Sequence, residues 1–196
     1  MIHANVLCGL TVALLTVVAS GQRGSPIEPL PEIPPELALV AADVAARMLE
    51  LASVTKNDRI YDLGCGDGRV AILAAKKYGA RSVCVDVDPE RIAGATVNAE
   101  QAGVANLVRV LRQETIDVSD ATVVTMTIPQ SAAWLTRNGL LHPALTSQLK
   151  PGARIVTNFV AGSMKAWTPD RVDHFTDAQG RARATLYLYR IVSSPK

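Results

Sequence analysis

The stretch Tyr61-Asp62-Leu63-Gly64-Cys65-Gly66-Asp67-Gly68-Arg69 decides the fold. A short β-type run, Arg59 to Leu63, leads into it, and a helical run, Val70 to Tyr78, leads out towards Gly79 as a cap. A strand that ends in glycines and turns into a helix opens a βαβ unit. Glycines belong in such a loop because a side chain would keep a ligand away from the backbone. The helix that follows offers unpaired N–H groups at its start. A dinucleotide fingerprint would place a third glycine at position 69, but Arg69 stands there. Asp62, two positions before the first glycine, would repel a pyrophosphate and attract an ammonium group. The motif therefore points to a nucleoside that carries an amine.

Downstream, strands and helices alternate. Ser82 to Val87 is β-rich, and Asp88-Pro89-Glu90 is a helix start, with Asp as N-cap, Pro in the first turn and Glu near the positive end of the dipole. That helix runs to Ala102 and stops at Gly103. Leu107 to Leu111 and Thr122 to Ile128 read as strands, and Leu140 to Leu149 as a helical segment ending at Lys150-Pro151-Gly152. Arg154 to Val160 is a further strand. Arg171 to Phe175 and Ala184 to Val192 form an antiparallel pair around a turn at Asp177 to Gly180. The expected fold is α/β, a Rossmann-like, seven-stranded and mostly parallel sheet closed by a C-terminal antiparallel β pair. Ligands bind such sheets at the carboxyl ends of the strands. Asp86 ends the second strand, where a carboxylate can accept both hydroxyls of a ribose. Asp88 is accounted for as an N-cap.

Upstream, residues 1–22 carry no Lys, Arg, Asp or Glu, and Val6 to Ala19 is apolar apart from Thr11 and Thr16. Val17 with Ala19, or Ala19 with Gly21, would suit signal-peptide cleavage, although the usual basic n-region is missing. As a helix, Ala4 to Gly21 would reach roughly 27 Å at ~1.5 Å per residue, against a hydrocarbon core of ~30 Å, so a short anchor also fits. Arg23 follows the segment and weakly favours a cytoplasmic location for the rest. Residues 23–35 hold five prolines, Pro26, Pro29, Pro31, Pro34 and Pro35, and read as an extended spacer. Leu37 to Ser53 then has helical spacing, so the folded domain spans 36–196.

The chain of 196 residues is 48% hydrophobic and 19% charged, enough for a substantial core in one domain. A formal net charge of +2 and 4% aromatics provide neither a basic field nor stacking platforms, so nucleic acid is not an expected partner. Cys8, Cys65 and Cys84 are an odd count without CxxC spacing. No disulfide framework and no zinc site is expected, and Cys65 and Cys84 read as small packing residues.

These residues resemble the class I S-adenosylmethionine-dependent methyltransferases from about Leu37 to Val192. The resemblance lies in the glycine loop, the acid after the second strand, Leu149-Lys150-Pro151-Gly152 before the fifth strand, and the final β pair. More narrowly, Tyr61 to Arg69, Val87-Asp88-Pro89-Glu90-Arg91-Ile92, Asn98-Ala99, Ala102-Gly103-Val104, Asp117 to Thr125 and Trp167-Thr168-Pro169-Asp170 look like the small lysine methyltransferases related to the enzyme that modifies the ATP synthase c subunit. The resemblance implies S-adenosylmethionine as cofactor and no metal. It implies cofactor contacts from Asp62, Gly64, Cys65, Gly66, Gly68, Asp86 and Val87, with Glu114 as the acid that reads the adenine amino group. Two stretches depart from that subgroup. Leu37-Ala38-Leu39-Val40-Ala41 stands where it carries a Val-Pro-Thr-Pro-like motif, and Met126-Thr127-Ile128-Pro129 where it carries Leu-Tyr-Leu-Leu-Pro. The second stretch lines the acceptor side in related enzymes, so Thr127 and the Pro129 backbone are the candidate catalytic walls, with Trp167 beside them. His142 and His174 do not suggest a catalytic base. The expected acceptor is a protein lysine near a membrane. The alternatives are a small-molecule N- or O-methyltransferase and a cofactor-binding domain without turnover. Because the cofactor is made inside cells, the expected location is membrane-associated through the N-terminus with the catalytic domain on the cytoplasmic side; the alternative is export after signal cleavage.

Overall fold

A computed structural model describes residues 40–112, 117–127, 146–160 and 168–192. The leader and spacer, Glu114, Ile128, Pro129, His142 and Trp167 lie outside the described residues, as do Leu140 to Leu141 and most of the helical segment expected there.

The elements are α1 (Ala42–Leu51), β1 (Arg59–Leu63), α2 (Arg69–Tyr78), β2 (Arg81–Asp86), α3 (Pro89–Gln101), β3 (Val108–Arg112), β4 (Val123–Met126), β5 (Arg154–Thr157), β6 (Arg171–Thr176) and β7 (Ala182–Arg190). They build one sheet in the order β3-β2-β1-β4-β5-β7-β6. The first five strands in that order pair in parallel, and β7 pairs antiparallel with both β5 and β6. The chain crosses over after β3, so the carboxyl ends of β1 and β4, side by side, mark the switch point at which such sheets bind ligands.

Local chemistry explains the boundaries. Asp88 caps α3, accepting from the amides of Glu90 at 2.8 Å and Arg91 at 3.4 Å, with Pro89 in the first turn. Gly79 ends α2 in a left-handed conformation that a side chain would resist. Three expectations change. The helix expected from Leu37 begins at Ala42, because Ala41 is extended and has no side-chain cap. The strands expected to reach Ile128 and Val160 end at Met126 and Thr157. Thr146 to Leu149, expected as the end of a helix, are a turn.

Alternation divides the core by face. Ile60, Val123, Val156, Leu186 and Leu188 pack with α1 and α2, while Tyr61, Leu63, Val83, Val85, Val124, Met126 and Ile155 form the cluster on the other face. Ion pairs hold α1 in place: Arg47 with Asp173 of β6, Asp43 with Arg183 of β7, and Glu50 with Lys77 of α2. Among the described residues no helix is long and apolar enough to cross a membrane.

Candidate cofactor site

The loop after β1 folds back on β2. Gly64, Gly66 and Gly68 have φ of 75°, 58° and 81°, values that L side chains rarely tolerate. The turn places the amides of Gly64 and Cys65 on the carbonyl of Val85, at 2.8 and 3.1 Å, and the amide of Gly66 on Asp86 Oδ2 at 3.0 Å. Gly68 has a further reason to be glycine: a Cβ there would lie 3.1 Å from Ala95 Cβ, where α2 crosses α3.

The same turn corrects the reading of the cysteines. Cys65 and Cys84 form a disulfide, with their Cα atoms 5.3 Å apart. Sequence spacing conceals it because the two residues meet only when the loop settles over β2. Cys65 therefore ties the loop to the strand that carries Asp86.

Arg69 makes a second tie. Its guanidinium grips Asp67, Nε to Oδ1 at 2.9 Å and Nη2 to Oδ2 at 2.6 Å, and its Nη1 donates to the carbonyl of Val40 at 2.7 Å. Asn98 Nδ2 donates to the Asp67 carbonyl at 3.0 Å. The residue that breaks the dinucleotide fingerprint thus pairs with Asp67 and links the loop to the approach of α1.

The two acids singled out in the sequence differ. Asp86 is buried and accepts three backbone amides: Val87 at 2.8 Å and Asp88 at 3.1 Å on Oδ1, and Gly66 on Oδ2. Those bonds orient its carboxylate beside the exposed Val87. Asp62 is 1% exposed. Its Oδ1 accepts from the Thr125 hydroxyl at 2.7 Å, and its Oδ2 has no partner among the described residues. Burial pushes Asp62 up to about 7, the Asp86 and Asp67 charges add to the rise, and the Thr125 bond opposes it. Among the described residues no cationic side chain pairs with Asp62 or Asp86.

This arrangement suits a cofactor that is itself cationic. A buried acceptor without a donor calls for one from a ligand, and an ammonium group would both fill and charge-match Asp62 Oδ2. Thr127 is buried one residue beyond β4, next to the carboxyl end of β5. Glu114, Pro129 and Trp167 lie outside the described residues, and His174 sits exposed on β6, away from this loop, with its Nδ1 3.3 Å from Thr185 Oγ1. Sequence reasoning missed Thr125 and the Asp67–Arg69 clamp. Thr125 had one signal: it is a hydroxyl within an otherwise apolar strand, Val123 to Met126.

Sheet order, glycine loop and paired acids together define a class I S-adenosylmethionine-dependent methyltransferase. The family model described as the ANTKMT methyltransferase domain matches residues 62–171, and the chain belongs to that family. It is 39% identical over 151 residues to a protein-lysine N-methyltransferase of Saccharolobus islandicus, covering 76% of this chain and 88% of that protein. It is similar to the crystal structure of an RNA methyltransferase from Salinibacter ruber in complex with S-adenosyl-L-homocysteine. That likeness has a TM-score of 0.67 and 38% identity, over 81% of this chain and 96% of the other. A protein-L-isoaspartate O-methyltransferase of Thermococcus onnurineus is 32% identical over 145 residues, 71% of this chain and 60% of its own length. The protein is an enzyme of this class, and its cofactor is S-adenosylmethionine.

Proposed function

We propose that the enzyme methylates a protein lysine close to a membrane, with its catalytic domain on the cytoplasmic side. The observation that carries the acceptor is the 39% identity to a protein named as a lysine methyltransferase, which extends over 88% of that protein. Membrane proximity rests on the apolar leader, residues 1–22.

Bound S-adenosylmethionine supplies a methyl group activated by its sulfonium: the amine nitrogen forms the new N–C bond, the C–S pair returns to sulfur, and the nitrogen then loses a proton to water. The chain supplies alignment and dryness. Asp62 Oδ2 receives the cofactor's ammonium group. Asp86, already oriented by three amides, keeps one acceptor position, on Oδ2, for a ribose hydroxyl. The backbone of Gly64, Cys65 and Gly66 and the flank of Val87 form the cradle, while Gly68 lets α2 approach α3. Glu114 is the candidate to read the adenine, and Thr127 and Pro129 are the candidates for the acceptor side; Glu114 and Pro129 lie outside the described residues. An ordinary lysine at pKa ~10.4 costs about 4.6 kcal/mol to deprotonate at pH 7, and a dry channel lowers that cost.

The test supplies the full chain with heavy-methyl cofactor and both membrane and soluble extracts. Label on lysines of membrane proteins is expected. Label confined to nucleosides, or to small amines or hydroxyl compounds, would overturn the lysine reading in favour of an RNA or small-molecule acceptor.

The Cys65–Cys84 disulfide favours a second reading of location, because such bonds persist mainly in oxidising compartments. Here the leader is cleaved and the domain exported. A mature N-terminus near Ser20 or Gln22 in an exported fraction would establish it. An intact Met1 in the membrane fraction, with free thiols at Cys65 and Cys84, would support the cytoplasmic location.

A further inference from the structure

Asp62 is held from β4 by a residue outside the glycine motif. The register sets Asp62 of β1 beside Thr125 of β4. Thr125 is fully buried, its sequence neighbours Val123, Val124 and Met126 are apolar, and its hydroxyl donates to Asp62 Oδ1 at 2.7 Å. Valine would fill the same space, so packing alone does not call for a hydroxyl. Burying one is costly unless it is paired, and Asp62 is its partner.

We propose that Thr125 is a positioning residue for cofactor binding: it anchors one oxygen of Asp62 and leaves the other, unpartnered oxygen set to receive the cofactor's ammonium group. This rests on the role given to Asp62 above and goes beyond it. The torsion of a carboxylate about its last bond is broad, so an unanchored Asp62 would spread its charge over many directions. One short bond from a rigid β-branched side chain removes that freedom.

The surroundings give the anchor a second effect. The groups that face Asp62 are Thr125 from β4, Asp86 from the end of β2 and Asp67 from the loop, and among the described residues none is a cation paired with it. Burial and the two carboxylates raise Asp62 to about 7, and the Thr125 hydroxyl counters them. In the cofactor-free protein Asp62 is therefore half protonated near neutrality. An ammonium ligand draws it to the carboxylate, and a proton leaves for solvent. Removing the hydroxyl raises Asp62 further and frees its orientation, and both effects fall only on ligands that carry the amine.

The test is calorimetric titration of the full chain between pH 6 and 7.5, where the ligand's amine stays largely protonated. The ligands are S-adenosylmethionine, S-adenosylhomocysteine and 5′-methylthioadenosine, which lacks the amino-acid portion. Wild-type affinity for the first two should rise about fivefold across that range. Thr125→Val should weaken both by roughly tenfold at pH 7 and leave methylthioadenosine unchanged, while Thr125→Ser should restore the wild-type profile. Asp62→Asn should flatten the pH dependence, which provides a check even if Thr125→Val does not fold. Equal losses for all three ligands, or no loss, would overturn the positioning role. No binding of either amino-acid ligand by the wild type would overturn the cofactor-site reading itself.

Discussion

Asp58, just before β1, and Asp62, near its end, are both buried carboxylates, yet only one of them is neutralised. Asp58 pairs with Arg154, accepts the Thr122 hydroxyl at 2.7 Å, and accepts the amide and hydroxyl of Thr55 at 2.7 and 3.1 Å. Burial pushes its pKa up, but the Thr122, Thr55 and Arg154 contacts outweigh that and hold it below the usual carboxylate range. Asp62 has one hydroxyl and an oxygen without a partner, and its pKa rises. The amino ends of the strands satisfy their charge internally. The carboxyl ends leave theirs for a ligand. A buried carboxylate oxygen left without a donor suits one supplied by a ligand, so the contrast points to the carboxyl end.

Breaking the closed end should have the largest effect. Arg154→Met leaves Asp58 buried without its cation and should lower stability by about 4 kcal/mol in urea unfolding at pH 7. The two ends should also respond to pH with opposite signs. Asp58, with its depressed pKa, stabilises the fold above the unfolded-state value of ~3.9, and that contribution is lost as pH falls through its folded pKa. Asp62, raised to about 7, takes up a proton on folding between the two values, so its contribution falls as pH climbs from ~4 to about 7. Asp62→Asn should therefore be more stable than wild type at pH 8, by at most about 4 kcal/mol, and level with it near pH 4, while binding the cofactor poorly. Chemical denaturation at the two pH values checks this; a variant less stable than wild type at pH 8 would refute the open-end account.

The disulfide lies at the carboxyl end, where Cys84 is opposite Asp62. Reducing it should lower stability by about 2 to 3 kcal/mol, since it closes a loop with a sequence separation of 19. Unfolding with and without reductant, alongside Cys84→Ala, tests that. The smallest effect is expected at the periphery. Arg47→Ala removes a bidentate bond to Asp173, with both contacts at 2.8 Å, but the Arg47 side chain is 32% exposed. Its loss should amount to under about 1 kcal/mol.

Much of this architecture was legible in the chain. Arg59 to Leu63 is β1 residue for residue, the Asp88-Pro89-Glu90 start is a capped helix, and the terminal strand pair is antiparallel. These features depend on neighbours in sequence: caps, turns, alternation. The errors fall where ends are set from outside. No cap marks the start of α1, and β4 and β5 stop two or more residues before their apolar runs do. Within the candidate site, the acids and glycines could be named because the loop motif and the strand end mark them in the sequence. Their charge states could not be, because these depend on what lies across the sheet.

Residue order alone therefore determined the class of fold, the glycine loop after β1 and the two acids beside it, since those rest on local backbone chemistry and a short spacing. Tertiary structure decided the rest. Pairing β1 with β4 put a threonine hydroxyl on Asp62, folding the loop over β2 joined Cys65 to Cys84, and the approach to α1 gave Arg69 its carbonyl. Each of these joins residues between 19 and 63 positions apart. Contacts at that range exist only after the chain has collapsed, when burial has removed the water that would otherwise have satisfied every one of these groups.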